Sequence, residues 1–246
     1  MAGNICFGMG VLGARPILIG AAGEDFADYR SWLERHNVDC DSVRISESRH
    51  TARFVCTSDS TMAQFASFYP GAMSEARLIE LAPIVARVGA PDYVLVGADD
   101  PDGMLRHTEE CRQRGYPFIA DPSQQLAFGE GDLIRKLIDG AAYLFSNEYE
   151  SHMIESKTGW SADEILSRVG TQVITLGPDG VRVVEPDGRW ALVLPDPSEA
   201  VTHIWAEGPD AEAATPSGAP MRVNWSSWPA APTSRCVSPA RTSCCE

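Results

Sequence analysis

From Pro16 to about Leu194 the chain alternates between short apolar runs and stretches of helical periodicity. That is the pattern of a mostly parallel sheet covered by helices. The apolar runs predict strands at Pro16–Gly20, Tyr93–Gly97, Tyr116–Ala120, Ala142–Phe145 and Val173–Leu176. Between them, helices are predicted over Glu24–Asn37, Ser74–Val88, Gly103–Arg114, Gly131–Ile138 and Ser161–Arg168. In the second of these, Ser74 is placed to cap a helix whose Leu78, Leu81, Ala82 and Val85 recur on one face. Two pairs of strand-like segments depart from the alternation. Thr51–Thr57 and Met62–Tyr69 flank a polar Ser-Asp-Ser turn and predict a β-hairpin. Val181–Val184 and Trp190–Leu194 predict a second one that turns at Asp187-Gly188.

After Leu194 the pattern stops. The remaining residues contain no leucine, eight prolines, three of the six tryptophans and three of the seven cysteines. Linkers are usually poor in tryptophan and cysteine. The expectation is therefore an ordered unit over residues 1–195 and an irregular, low-order tail over 196–246. The tail reads as an out-of-frame or foreign translation, with a disordered natural tail as the alternative.

Composition narrows the partners. A hydrophobic fraction of 44% in 246 residues is enough for a packed core. A formal net charge of −14 repels phosphate backbones and anionic lipid surfaces, which excludes nucleic acid and membrane as main partners. No apolar run approaches the roughly eighteen residues needed to span a bilayer, and no basic flank leads into an apolar segment at the N-terminus. The reading is a cytoplasmic protein. Seven cysteines without a C-x-x-C pair indicate neither a disulfide framework nor a zinc site.

One stretch, Gly8–Gly13 (GMGVLG), matches the G-x-G-x-x-G string of dinucleotide-binding domains. That motif works only when a buried strand delivers the chain into the first glycine. The seven residues MAGNICF that precede it are too short and polar to be such a strand. Small residues at this spacing also let a helix pack closely on its neighbour, so a nicotinamide cofactor is the weakest reading.

Three polar clusters follow predicted strands, at the carboxyl edge where open α/β sheets bind ligands. Asn147-Glu-Tyr-Glu150 offers oxygen donors suited to a hydrated magnesium ion, or simply a helix start with favourable acidic residues. Thr175-Leu-Gly-Pro-Asp-Gly180 supplies a hydroxyl and two glycines that let backbone N–H groups approach a phosphate, or forms a plain turn. Asp121-Pro-Ser-Gln-Gln125 carries adjacent amides able to bind a base or a sugar.

In order and spacing these segments resemble the PfkB (ribokinase-like) carbohydrate kinase family. Asn4, Cys6, Gly13 and Gly23 match its first signature, which accounts for GMGVLG; Asn147–Glu150 matches N-x-x-E, and Thr175–Gly180 matches T-x-G-x-x-G. Within the family, HTARF (His50–Phe54), ASFYPGAMSEA (Ala66–Ala76), HTEECR (His107–Arg112), ADPSQQL (Ala120–Leu126) and KTGWS (Lys157–Ser161) are similar to bacterial adenosine kinases. The resemblance implies a three-layer α/β/α fold in which the hairpin at about 51–69 is part of a β lid. It implies transfer of the γ-phosphoryl of ATP, with Mg2+, to the 5′-hydroxyl of adenosine in purine salvage. Gly3 and Asn4 would contact the ribose, Phe54 and Phe68 would hold the nucleoside from the lid, and Gln124 and Gln125 would bind it from below. Asn147 and Glu150 would hold Mg2+ and phosphate through water, and Thr175, Gly177 and Gly180 would bind ATP. Lid hairpins of this family can pair between subunits, so a homodimer is possible.

The chain departs from the family late in the sequence, where a G-x-G-D turn supplies an anion hole and the catalytic base. No such string occurs; Glu207-Gly-Pro-Asp-Ala211 comes nearest, and Pro209 removes one of the donors an anion hole needs. The first core strand and further lid strands, with their acidic ribose ligands, are also expected to be missing. The expectation is an adenosine kinase homologue without turnover, with a sugar kinase or a non-catalytic nucleotide-binding protein as alternatives.

Overall fold

A computed structural model describes residues 1–61, 63–195, 201–207 and 221–224. The chain opens with helix α1 (Ala2–Val11), which contains most of GMGVLG. A Cβ on Gly10 would lie 1.9 Å from the His36 carbonyl oxygen, so this glycine lets α1 pack directly on the end of α2 (Ala27–Glu34). At Gly10, close helix packing rather than a strand-to-helix turn is what the small residue serves, whereas Gly8 would have open space around a Cβ. Cys6, Phe26, Leu33, Val38 and Cys40 form the core of this part of the molecule.

The expected strand at Pro16–Gly20 is displaced. Ile17 makes a lone bridge to Asp39, and the strand itself, β1, runs over Gly20–Ala22, paired in parallel with β2 (Val43–Ile45). The first hairpin forms as expected, from β3 (Arg53–Ser58) and β4 (Gln64–Tyr69); Met62, the predicted start of its second strand, lies outside the described residues. Every residue of β3 is exposed, so the hairpin projects from the body and is held at its base. There Asp25 accepts hydrogen bonds from the Thr51 amide (2.8 Å), the Thr51 hydroxyl (2.7 Å) and Arg53 (2.8 Å). These bonds hold the Asp25 carboxyl well below the usual carboxylate range, the Thr51 amide contributing most.

The helix expected over Ser74–Val88 is two elements. Gly71–Leu78 is a 3-10 segment and α3 begins only at Leu81. Pro83 has no N–H with which to bond the Ile79 carbonyl, so one helix cannot run through both. His107 Nε2 lies 3.2 Å from that carbonyl oxygen, and the Glu110 carboxylate caps α3 through the amides of Leu81 and Ala82, each at 2.8 Å.

The main sheet has the order β12-β11-β10-β9-β8-β7-β6-β5. Strands β5 (Val94–Gly97), β6 (Phe118–Asp121), β7 (Tyr143–Asn147) and β8 (Thr171–Thr175) are parallel. They correspond to the four predicted apolar runs after residue 90. The helices α4 (Pro101–Arg114), α6 (Gly131–Ile138) and α8 (Ala162–Arg168) match expectation closely. Two more lie between them: the single-turn α5 (Gln125–Phe128) and α7 (Glu148–Thr158). Met104, Cys111, Phe118, Leu137, Leu144, Ile154 and Ile165 knit helices and strands into one buried cluster.

From β9 (Val181–Val184) and β10 (Trp190–Pro195) onward the pairing is antiparallel, as the second predicted hairpin requires. Of the stretch expected to be irregular, the described residues form β11 (Val201–Glu207) and β12 (Met221–Asn224), which extend this edge. The β-branched and aromatic run Val201-Thr-His-Ile-Trp205 suits a strand, so the expectation of irregular structure does not hold for these residues. The rest of 196–246 lies outside the described residues. Among the described residues no helix is long and apolar enough to cross a membrane.

The turn into α4 joins the parallel sheet to the 3-10 segment. Asp100 caps the helix through the Gly103 amide (3.0 Å) and pairs with Arg77 Nε (3.0 Å), with its side chain only 6% exposed. Replacing Asp100 with Ala removes a cap and leaves the guanidinium without its buried partner, so a loss of about 2–4 kcal/mol is expected in chemical denaturation. The neighbouring Asp99 carboxyl is pushed up to about 6, chiefly by burial and further by the Asp100 charge, against the stabilising amide of Asp100. Its pKa is raised on folding, so its contribution is most favourable below about pH 4 and is lost as pH rises through about 6. Asp99→Asn, which keeps an acceptor for the Asp100 amide, should raise the melting temperature at pH 7 and lose this advantage towards pH 4. Parallel melting curves for the two proteins across that range would refute the desolvation account.

Candidate functional site

Parallel pairing sends the turns after β5, β6, β7 and β8 out along one edge, and four of the sequence-predicted segments meet there. Asn147 ends β7 and Thr175 ends β8, and the two are register partners. Residues 28 apart in the chain thus sit side by side, with the Thr175 hydroxyl 3.5 Å from the Ser146 carbonyl oxygen.

Asn147 is the N-cap of α7. Its Oδ1 accepts from the Glu150 amide at 2.8 Å, while Glu150 Oε2 accepts from the Asn147 amide at 2.9 Å. This capping box makes N-x-x-E a helix start as well as a candidate ligand set: it aims the Glu150 carboxylate and the positive end of α7 at the strand edge. Beside it, Ser146 Oγ is buried with no hydrogen-bond partner among the described residues, although buried hydroxyls are nearly always bonded.

Thr175 leads into a 3-10 turn, Gly177–Asp179, closed by the Leu176 amide on the Gly180 carbonyl. Gly177 has φ +59 and nothing within 4 Å of where a Cβ would stand. A backbone in the left-handed region beside open space can be approached closely by a ligand oxygen. Gly180 also has positive φ, at 90, and is buried.

On the other side of β7, the turn after β6 carries Gln124 and Gln125. Gln125 Nε2 donates to the Asp99 carbonyl at 2.7 Å, tying this turn to the one after β5. Gln125 thus braces the loop, and Gln124 beside it, at the N-cap of α5, is exposed. Asp121, which ends β6, was not singled out as a site residue. Its carboxyl accepts from Ser123 Oγ at 2.7 Å and is pushed up from the ordinary value by burial. Like Asp99, it is an acid set directly after a buried strand, and that position was the available signal.

The first turn of α1 reaches the same edge. Met1 Sδ lies 3.8 Å from Ser123 Oγ and would be 3.5 Å from a Cβ on Gly97. Asn4 is exposed, with Oδ1 3.5 Å from the Tyr29 hydroxyl. A Cβ on Gly3 would meet that hydroxyl at 2.6 Å, so a larger residue there would have to displace the Tyr29 side chain.

Phe54 and Phe68 face each other across the hairpin in direct register, with exposures of 65% and 53%. They do not form a hairpin core. An apolar pair held out in water on a projecting hairpin suits contact with a flat ligand.

Oxygen donors dominate the edge, and among the described residues no group of three His, Cys, Asp or Glu could hold a metal ion directly. Since the capping box already engages Asn147 Oδ1 and one oxygen of Glu150, this donor set fits a magnesium ion retaining its waters rather than one ligated directly.

Comparison with known proteins identifies relatives of the chain as a whole. The chain is 24% identical over 193 residues to a nucleoside kinase of Methanocaldococcus jannaschii, covering 76% of this chain and 61% of the relative. A solved structure of Burkholderia thailandensis nucleoside kinase with inosine superposes with a TM-score of 0.70 at 34% identity, over 76% of this chain and 62% of that one. The same enzyme bound to ADP and inosine gives 0.68. The chain thus spans about three fifths of the length of these relatives. The family model for pfkB family carbohydrate kinases matches residues 1–202, taking in every strand from β1 to β10, and the chain belongs to that family.

Proposed function

We propose that this chain forms the nucleoside- and nucleotide-holding part of a kinase that transfers the γ-phosphoryl of ATP to the 5′-hydroxyl of a purine nucleoside, adenosine first. The observation that carries this reading is the juxtaposition of Asn147 with Thr175 at the sheet edge. It puts a carboxylate-bearing helix start beside an open glycine turn, with an amide-rich turn on the adjacent strand. The inosine complex of the B. thailandensis enzyme supports a purine nucleoside as acceptor over a free sugar.

Phosphoryl transfer asks the protein for positioning and charge compensation more than for covalent chemistry. In this reading Phe54 and Phe68 stack on the base, the Gln124 amide reads its edge, and Gly3 and Asn4 meet the ribose. Thr175 and the backbone at Gly177 and Gly180 receive the phosphates. Asn147 and Glu150 hold Mg2+ through its waters, and that ion, when bound, compensates phosphate charge. Gln125 acts indirectly, by keeping the β6 turn against the β5 turn. The base that accepts the hydroxyl proton in this family belongs to a G-x-G-D string, which the sequence does not contain.

Two outcomes test the proposal. Phe54→Ala and Phe68→Ala should each weaken adenosine binding about 5- to 150-fold by calorimetry, the range of about 1–3 kcal/mol for a base stacked on an aromatic ring. Both side chains are exposed, so the melting temperature should stay within a degree or two; equal affinity in wild type and both variants would remove the lid from the site. Second, the purified 246-residue chain should bind adenosine in preference to ribose yet form no AMP from adenosine and Mg-ATP. Ribose binding in place of adenosine would turn the assignment to a sugar acceptor, and steady AMP production would show that another group supplies the base.

A further inference from the structure

The turn that carries Gln124 and Gln125 is not self-supporting. It continues into α5, a helix of four residues, far below the length at which a helix holds itself in water. What closes this turn is a side chain from elsewhere. Lys157, in the last turn of α7, donates from Nζ to the carbonyl oxygens of Leu126 (2.6 Å), Ala127 (3.0 Å) and Gly129 (2.9 Å). All three ammonium hydrogens are thus directed at the carbonyl end of α5, where a helix exposes unsatisfied acceptors and partial negative charge. Helix α6 meets the same end of α7: a Cβ on Gly131 would stand against the Lys157 carbonyl oxygen, and Arg135 donates to the carbonyl of Thr158. Seen from α7, one helix has two occupations. Its first turn, at Asn147 and Glu150, faces the candidate phosphate side; its last turn, about 15 Å further along, grips the loop that faces the nucleoside.

We infer that Lys157 is a positioning residue: by closing the 126–129 carbonyls it sets where Gln124 presents its amide, and it fastens the acceptor loop to the helix that begins at Asn147. The inference rests on the reading of Gln124 as a nucleoside contact. The turn itself is separable from that reading, because the amides of Gln125, Leu126, Ala127 and Gly129 bond to Pro122, Ser123, Gln124 and Gln125 and report the turn without any ligand.

The test uses the full chain and three variants, Lys157→Met, Lys157→Gln and Lys157→Arg. By hydrogen exchange, the amides of 125–129 should exchange about tenfold or more faster in Lys157→Met than in wild type, while those of β6, β7 and the first turns of α7 stay protected. Lys157→Arg, which keeps the charge and several donors, should restore most of the protection. If Lys157→Met does not melt cooperatively, Lys157→Gln, which keeps one donor without the charge, carries the comparison. By calorimetry, adenosine affinity should fall about tenfold or more in the Met or Gln variant, while Mg-ATP affinity stays within twofold of wild type. Unchanged exchange at 125–129 would overturn the inference outright, as would equal losses of adenosine and Mg-ATP affinity, the mark of a general structural defect. Wild type that binds no adenosine, with the exchange pattern nevertheless as expected, would instead overturn the reading of Gln124 and leave Lys157 as the support of the turn alone.

Discussion

The candidate site depends on the parallel register of β5 to β8. Each of these strands ends in a turn, and parallel pairing brings every such turn to the same edge of the sheet. The Asn147–Thr175 pairing is the decisive contact, because it makes neighbours of two segments that are each ambiguous alone. A slip of one residue in β7 would send Leu144 and Ser146 to the opposite face and move Asn147 off the helix start it caps. Burial of Leu144 in the main core therefore sets the register that the site uses.

Around that edge, side chains from distant elements hold turns that have little structure of their own. Gln125 joins the turn after β6 to the turn after β5, Lys157 closes α5, and Asp100 with Arg77 fixes the start of α4 against the preceding 3-10 segment. At the lid, Asp25 takes the amide and hydroxyl of Thr51 and the guanidinium of Arg53, so an otherwise exposed hairpin leaves the body from a defined point. In each case a polar side chain bonds backbone or charge across the fold, and the bonds of Lys157, Asp100 and Asp25, which involve a charged group, are among the stronger ones available. Rigid strands set the edge, and these ties keep its loops in place.

The lid and the edge differ in kind. The edge is built on buried strands, whereas Phe54 and Phe68 stand in water on a two-stranded ribbon. A ribbon of that size is marginal without packing, so its stability depends on the bonds at its base.

Much of the fold was legible from local pattern. The four apolar runs after residue 90 are β5 to β8 because buried parallel strands read as short continuous hydrophobic stretches, and Asp187-Gly188 marked the second hairpin through its turn chemistry. The polar clusters at 121–125, 147–150 and 175–180 were legible as strand ends for the same reason. Other features depended on partners far away in the chain. The break between the 3-10 segment and α3 involves Pro83 together with His107 and Glu110; the grip of Lys157 on α5 crosses about thirty residues; and Gly10 is dictated by the His36 backbone. Helix α7 was legible only at its start, as the acidic helix-start reading of Asn147–Glu150, because the rest of its sequence has no clear apolar face. By itself, then, the sequence determined most of the strands of the parallel sheet and the polar turns that end them, since burial and turn geometry act over a few residues. Only the tertiary structure decided which turns share an edge and which side chains brace them, because both depend on pairings between residues that chain distance does not relate.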